Sequence, residues 1–216
     1  MGNFVDLLRS LVPRPRVFDP SVIGDPLAQQ IEWTPLRRGG TNFRTHALAA
    51  RGPDRMVFRP AAAALLFNGI FLVSGVGLLV AFVILLFTQR FEAGSLVLLG
   101  LGAVFTAVGT GLFVSGTTPI VFDAKSGLFW RGRTAPTEVF NRRAVKVMTE
   151  ITQIHALQLL SECCRGNKSS YYSYELNLVL HDGRRLPVVD HGNARRLRED
   201  AATLAQFLKV PVWDAI

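Results

Sequence analysis

Residues 61 to 88 contain no charged side chain, and a second charge-free run extends from 95 to 116. A helix needs about 20 apolar residues to cross the hydrocarbon core of a bilayer. Both runs exceed the roughly 18 residues above which an apolar stretch reads as a membrane span. Only the bridge QRFEAG, residues 89 to 94, separates them. So short a connection forces the two helices to be antiparallel neighbours. The competing reading, a buried core hairpin of a soluble domain, is disfavoured by the length of both runs. Hydropathy therefore divides the chain into an N-terminal segment (1–40), a strand pair (41–60), the two spans (61–116) and a C-terminal domain (117–216).

The charges orient this hairpin. Arg37, Arg38, Arg51, Arg55 and Arg59 precede the first span, and Lys125, Arg131 and Arg133 follow the second. The positive-inside rule then puts both termini in the cytoplasm and makes this a two-pass inner (plasma) membrane protein. Within the second span Ala103, Ala107, Gly111 and Ser115 recur every four residues. Such a ridge of small side chains lets a helix backbone approach closely. The first span, with Gly69, Ser74, Gly75 and Gly77, is its most economical partner, and self-association into a homo-oligomer ranks second. Asn68 is the one strongly polar side chain in the first span, and no acidic, basic or histidine residue marks a transport path.

The formal charge is +8 and the sequence pI about 10.3. Both flanks are basic, with nine Lys/Arg against five Asp/Glu in residues 1 to 60 and fourteen against ten in 117 to 216. Nucleic acid is not the expected partner. Tyr171, Tyr172 and Tyr174 lack the interleaved basic residues of a stacking platform, and much of the excess charge lies beside the membrane. Cys163 and Cys164 are adjacent and unsuited to a structural disulfide, which fits a reducing compartment.

Before the membrane, Phe4, Leu7, Leu8 and Leu11 give a short amphipathic helix that Pro13 ends. It either lies on the membrane surface or docks on the protein's own domain. Pro20, Pro26 and Pro35 make Val17 to Arg38 read as an extended linker. Asn42 to Ala50 and Arg55 to Arg59 read as strands around an Arg51-Gly52-Pro53-Asp54 turn.

After the membrane the apolar period becomes two. PIVFD and LFWRGR form a hairpin closed by Gly127. Ala135 to Met148 is loop or a third strand, and its cluster Arg142, Arg143 and Lys146 is either a solvated edge or a contact for lipid headgroups. Ile151 to Cys163 and Tyr171 to Leu180 alternate as strands; in the second, Tyr172, Tyr174, Leu176, Leu178 and Leu180 share one face and Ser173, Glu175, Asn177 and Val179 the other. Glu175 is expected to face water, or to pair with Arg131 or Arg184 if its face is the inner one. Asp182-Gly183 turns the chain into the strand Arg185 to Asp190, which Pro187 makes an edge. Asn193 caps a helix over Ala194 to Lys209 whose stripe Leu197, Ala201, Leu204, Ala205 and Leu208 packs on the sheet, and Trp213 is expected to plug the sheet's open end.

Two strands before the membrane, four or five after it and one C-terminal amphipathic helix match the element count of a pleckstrin-homology-like barrel with the hairpin inserted between its second and third strands. FDAKSGLFWRG, IHALQLLSE, YELNLVLHDGRRLPVVDHGN and EDAATLAQFL also resemble the cytoplasmic part of bacterial membrane proteins of unknown function that carry such PH-like domains. The resemblance covers about half the chain. It implies an α+β domain, a PH-like antiparallel barrel or sheet with one C-terminal helix, and brings no active-site residue with it.

No metal or cofactor is expected. His155, His181, His191, Asp190 and the cysteine pair lack ligand spacing, and no P-loop, G-x-S-x-G, G-x-G-x-x-G or H-E-x-x-H occurs. The expectation from sequence is a non-enzymatic membrane protein that scaffolds or recruits a protein partner. Anionic-headgroup sensing by Arg142, Arg143 and Lys146 is the alternative, and a small membrane enzyme or transporter accessory subunit ranks third.

Overall fold

The strands on either side of the helical hairpin decide how it is built into the molecule. The computed structural model describes residues 18–88, 90, 92–138, 147–165 and 170–216. The N-terminal amphipathic helix expected at residues 4 to 11 lies outside them, as does the 142–146 cluster. The chain forms two units, 1–33 and 34–216. In the first, Asp19 and Asp25 cap the single 3-10 turns Pro20–Ile23 and Pro26–Gln29, accepting from the Ser21 and Leu27 amides at 3.0 and 2.8 Å. Each turn starts on a proline, whose fixed φ suits a first helical position. Trp33 donates its indole N–H to Ala28 O at 2.8 Å. The proline-rich stretch read as extended thus contains two capped turns.

In the second unit β1 (His46–Ala50) pairs with β2 (Arg55–Pro60). β2 leads directly into α1 (Ala62–Phe87), and α2 (Leu96–Gly116) returns to β3 (Ile120–Asp123). β2 and β3 are hydrogen-bonded antiparallel neighbours, with Phe58 opposite Ile120 and Met56 opposite Phe122. The hairpin is therefore an insertion between adjacent strands of one sheet. That sheet continues through β4 (Leu128–Arg131) to β5 (Met148–Glu150).

The second sheet has the order β8-β7-β6-β9, from β6 (Ile154–Arg165), β7 (Ser170–Leu180), β8 (Arg185–His191) and β9 (Val212–Ala215). β9 runs parallel to β6 and follows α3 (Ala194–Leu208). Asn193 caps α3 by accepting from Arg196 N at 3.0 Å, as its sequence position predicts. Phe58, Phe122 and Phe129 of the first sheet, Leu159 and Leu178 of the second and Leu197 of α3 form one core.

The domain is thus an antiparallel sheet and a mixed sheet with one C-terminal helix. It has nine strands among the described residues, two more than a pleckstrin-homology-like barrel. The additions are the short β5 at the end of the doubtful 135–148 stretch, and β9. Trp213, expected as a plug, sits 2% exposed within β9 beside Gln158 of β6. Pro187 lies on the edge strand β8, next to the irregularity at Leu176/Asn177, where a residue without an N–H is tolerated.

The face of β7 expected to meet water is buried, with Ser173, Glu175 and Asn177 at 2, 3 and 0% exposure. A strap, residues 34 to 45, covers it. Glu175 accepts hydrogen bonds from Leu36 N (2.9 Å), Arg37 N (2.8 Å) and the Asn177 amide (2.6 Å). Neither Arg131 nor Arg184 is its partner; backbone amides hold the carboxylate, a way to bury a charge that side-chain alternation does not reveal.

α1 and α2 are long and apolar enough to cross a membrane, and they turn large apolar side chains outward: Leu66, Val73 and Phe87 are 71, 73 and 84% exposed. Against each other they pack through glycine. Gly75 meets the Phe105–Thr106 backbone, Gly102 meets Leu79, and Gly109 meets the Phe71–Leu72 backbone. The four-spaced ridge Ala103, Ala107, Gly111 and Ser115 is exposed and lies off this contact. Gly102 and Gly109 are seven residues apart, the repeat that keeps one seam facing a near-antiparallel neighbour. A side chain at Gly109 collides with backbone, so Gly109→Val is expected to destabilise the hairpin by about 1–3 kcal/mol. Gly111→Val, with open space around it, should be neutral. Thermal denaturation of the full chain in detergent checks this, and equal melting points for the two variants would refute it.

A candidate anion site at the base of the hairpin

Strand alternation sorts the arginines of β2. Met56 and Phe58 point into the core, so Arg55, Val57 and Arg59 lie on the other face of the first sheet. Val121 of β3 and Trp130 of β4 share that face and cluster with Val57. Because β2 ends where α1 begins and β3 begins just after α2, this face runs up to the ends of both helices. There it forms a cleft of about 610 Å³, lined by Arg51, Arg55, Arg59, Trp130 and Arg133 together with Pro60, Thr117 and Pro119.

Two of its cations are committed. Arg55 forms an ion pair with Asp123, its Nε donating to Oδ2 at 3.1 Å, and its guanidinium stands 5.8 Å over the Trp130 ring. Burial pushes the Asp123 carboxyl up, but the Arg55 hydrogen bond and the Ser126 and Lys125 amides outweigh it, and the net shift is downward. Arg133 donates to Thr117 Oγ1 at 2.6 Å and Val114 O at 3.3 Å, where a cation complements the carbonyl end of α2.

Two donors are left over. Arg59 Nη2 and Trp130 Nε1 are both buried without a hydrogen-bond partner. An unpaired buried donor costs about 1–3 kcal/mol. With Arg51 at the rim, the cleft offers donors and positive charge, and the acids lining it or paired to it are Glu138 and the already engaged Asp123. Chemically it suits a phosphate or another oxyanion.

The sequence counted Arg51, Arg55, Arg59 and Arg133 only as orientation signals. The four-residue spacing of Arg55 and Arg59 in a strand places them on one face and was the available clue to a site. Arg142, Arg143 and Lys146 lie outside the described residues. His155 Nδ1 and His181 Nδ1 approach to 3.2 Å, but no group of three potential metal ligands occurs among the described residues. Cys163 and Cys164 are free thiols.

On the strap side, Thr45 Oγ1 donates to Asp190 O at 2.6 Å and stands 3.0 Å from His46 Nδ1. Its proton being spent, Thr45 accepts from His46 Nδ1–H, which leaves His46 Nε2 a bare acceptor, buried and unpartnered. His191 Nδ1 accepts from Asn193 N at 3.3 Å. Burial, then the charges of Arg131 and Arg37, lower His46 to about 4; burial, then Arg44 and His46, lower His191 to about 4.

Compared with protein-family models, curated proteins and solved structures, the chain shows no match.

Both histidines stay neutral in the fold, whereas unfolded rings protonate near 6.5. Below that pH the unfolded chain binds more protons, so stability falls as pH drops from 6.5 to 4, by roughly 3 kcal/mol per ring. Asp190 and Asp200, raised chiefly by burial, act in the opposite sense. Thermal denaturation should show a falling melting point below about pH 6.5 and a shallower fall in His46→Gln/His191→Gln; a wild-type melting point flat to pH 4.5 would contradict it.

Proposed function

We propose that this chain is a non-enzymatic two-pass membrane protein whose sheet domain, PH-like with an added parallel strand, sits at the cytoplasmic membrane surface and binds anionic lipid headgroups through the arginine–tryptophan cleft. The observation that carries this reading is the pair of buried, unpartnered donors, Arg59 Nη2 and Trp130 Nε1, in a cation-rich cleft that adjoins both helix ends. Arginines on either side of the hairpin support the cytoplasmic orientation. If α1 and α2 span the bilayer, Pro60, Thr117 and Pro119 lie at headgroup depth, where phosphate density is highest.

Recruitment of a protein partner has less support. The edge strand β8 carries Pro187, which offers no N–H for strand addition, while exposed arginines of α3 are already paired, Arg196 with Glu199 at 2.8 Å and Arg198 with Asp214 of β9 at 2.6 Å.

Lipid-induced stabilisation of the full chain in nonionic detergent tests the reading, because a ligand that binds only the folded state raises the melting point. Dioleoylphosphatidylglycerol should raise it by several degrees more than dioleoylphosphatidylcholine. Arg51→Gln/Arg59→Gln should lose a measurable part of that difference. Equal stabilisation by both lipids, or an undiminished difference in the variant, would sink the proposal.

A further inference from the structure

Two adjoining cavities, about 490 and 260 Å³, share Gly39, Gly40, Thr41, Thr45 and His46. The larger reaches the base of the hairpin, where Phe43, Ala64, Phe67 and Leu112 line it together with Asn68 and Ser115, whose side chains donate to Leu112 O. The Phe43 and Phe67 rings stand 5.5 Å apart. The smaller is basic, lined by Arg37, Arg38 and Arg131 against the single acid Asp190, which already takes the Ser173 hydroxyl.

Arg131 is the unusual member. It shares the core-facing side of β4 with Phe129 and is half-buried, yet its guanidinium has no hydrogen-bond or ion-pair partner among the described residues. Burial, then the neighbouring Arg37, push it below its ordinary value. A partly desolvated guanidinium next to a second one calls for an anion. Where the two cavities join stands His46, 7% exposed, whose Nε2 is a bare acceptor. A phosphodiester satisfies the arginines but has no proton to give His46; that position needs a hydroxyl. The end lined by Phe43, Phe67 and Leu112 needs hydrocarbon.

We infer that these cavities hold one anionic phospholipid with a hydroxyl-bearing headgroup, its phosphate on Arg37, Arg38 and Arg131, a headgroup hydroxyl donating to His46 Nε2, and an acyl chain along Phe67 and Leu112. The inference rests on the reading of α1 and α2 as membrane spans, and is independent of the arginine–tryptophan cleft. A solvated phosphoester without acyl chains has the same anionic chemistry, and the test separates the two.

Native mass spectrometry of the full chain, released from nonionic detergent, reads the bound lipid directly. Dioleoylphosphatidylglycerol should give one adduct that survives at least tenfold better than that of dioleoylphosphatidylmethanol, which has the same charge and no headgroup hydroxyl. His46→Ala should equalise the two. Arg37→Gln/Arg38→Gln, at exposed positions where folding is not at risk, should weaken the adduct about tenfold, and Arg131→Gln should remove it. Arg51→Gln/Arg59→Gln should leave it unchanged, so failure here and failure of the cleft are distinguishable. Equal retention of the two lipids by wild type, an intact adduct in Arg37→Gln/Arg38→Gln, or full displacement by millimolar glycerol 3-phosphate would overturn the inference.

Discussion

The pairing of β2 with β3 is the constraint from which the rest follows. Phe58 faces Ile120 across the ladder, although 61 residues separate them in sequence and two long apolar helices fill the interval. Closing so long an interval is entropically unfavourable. The helices offset this by packing on each other, with Gly75, Gly102 and Gly109 admitting close backbone contact. The sheet therefore fixes both ends of the hairpin at once. A rigid domain tied at two adjacent strands can hold Arg59, Trp130 and Arg133 at a constant height beside the helix ends, which a domain hung on a single linker could not.

A second constraint acts on the other sheet. From Glu175 to Leu180 both faces of β7 are buried, and the strap is held by Glu175 through two backbone amides. Tyr171 donates to Gly40 O at 2.7 Å and Glu162 accepts from Gly39 N at 3.1 Å, so the same strap is tied along the sheet. Gly40 lies against Ser173 and Asp190, where any side chain would collide. Tying down the strap brings Arg37 and Arg38 beside Arg131 and His46, so the fold gathers three guanidiniums around one cavity.

Much of this was legible in the sequence. Charge-free runs defined the hairpin, period-two alternation defined β2, β3, β4, β6 and β7, and Asp182-Gly183, Pro187 and Asn193 marked a turn, an edge and a cap that the structure contains. What could not be read depended on partners remote in sequence. Ser173, Glu175 and Asn177 look like a solvated face because their alternation carries no record of a strap some 135 residues away. The Ala103–Ser115 ridge satisfied a four-residue rule, but contact followed a seven-residue seam through Gly102 and Gly109. Trp213 gave no strand signal because β9 is short and joins β6 as a parallel neighbour across α3. The arginine cleft needs β2, β3 and β4 side by side before its members meet.

Arg59 Nη2, Trp130 Nε1 and the unpaired guanidinium of Arg131 are unfavourable in an isolated fold, and we propose that anionic lipid satisfies them. All of these groups sit at the base of the hairpin, so their meaning depends on whether β2 and β3 pair across it in a membrane. Val57 stands opposite Val121 in that ladder. In a Cys163→Ser/Cys164→Ser background, Val57→Cys/Val121→Cys should form an intramolecular disulfide in native membranes. With a protease site placed in the 89–94 bridge, the two halves should then stay joined after cleavage and separate only on reduction. Halves that separate without reductant, or a bond formed only between two molecules, would contradict the inserted-hairpin architecture.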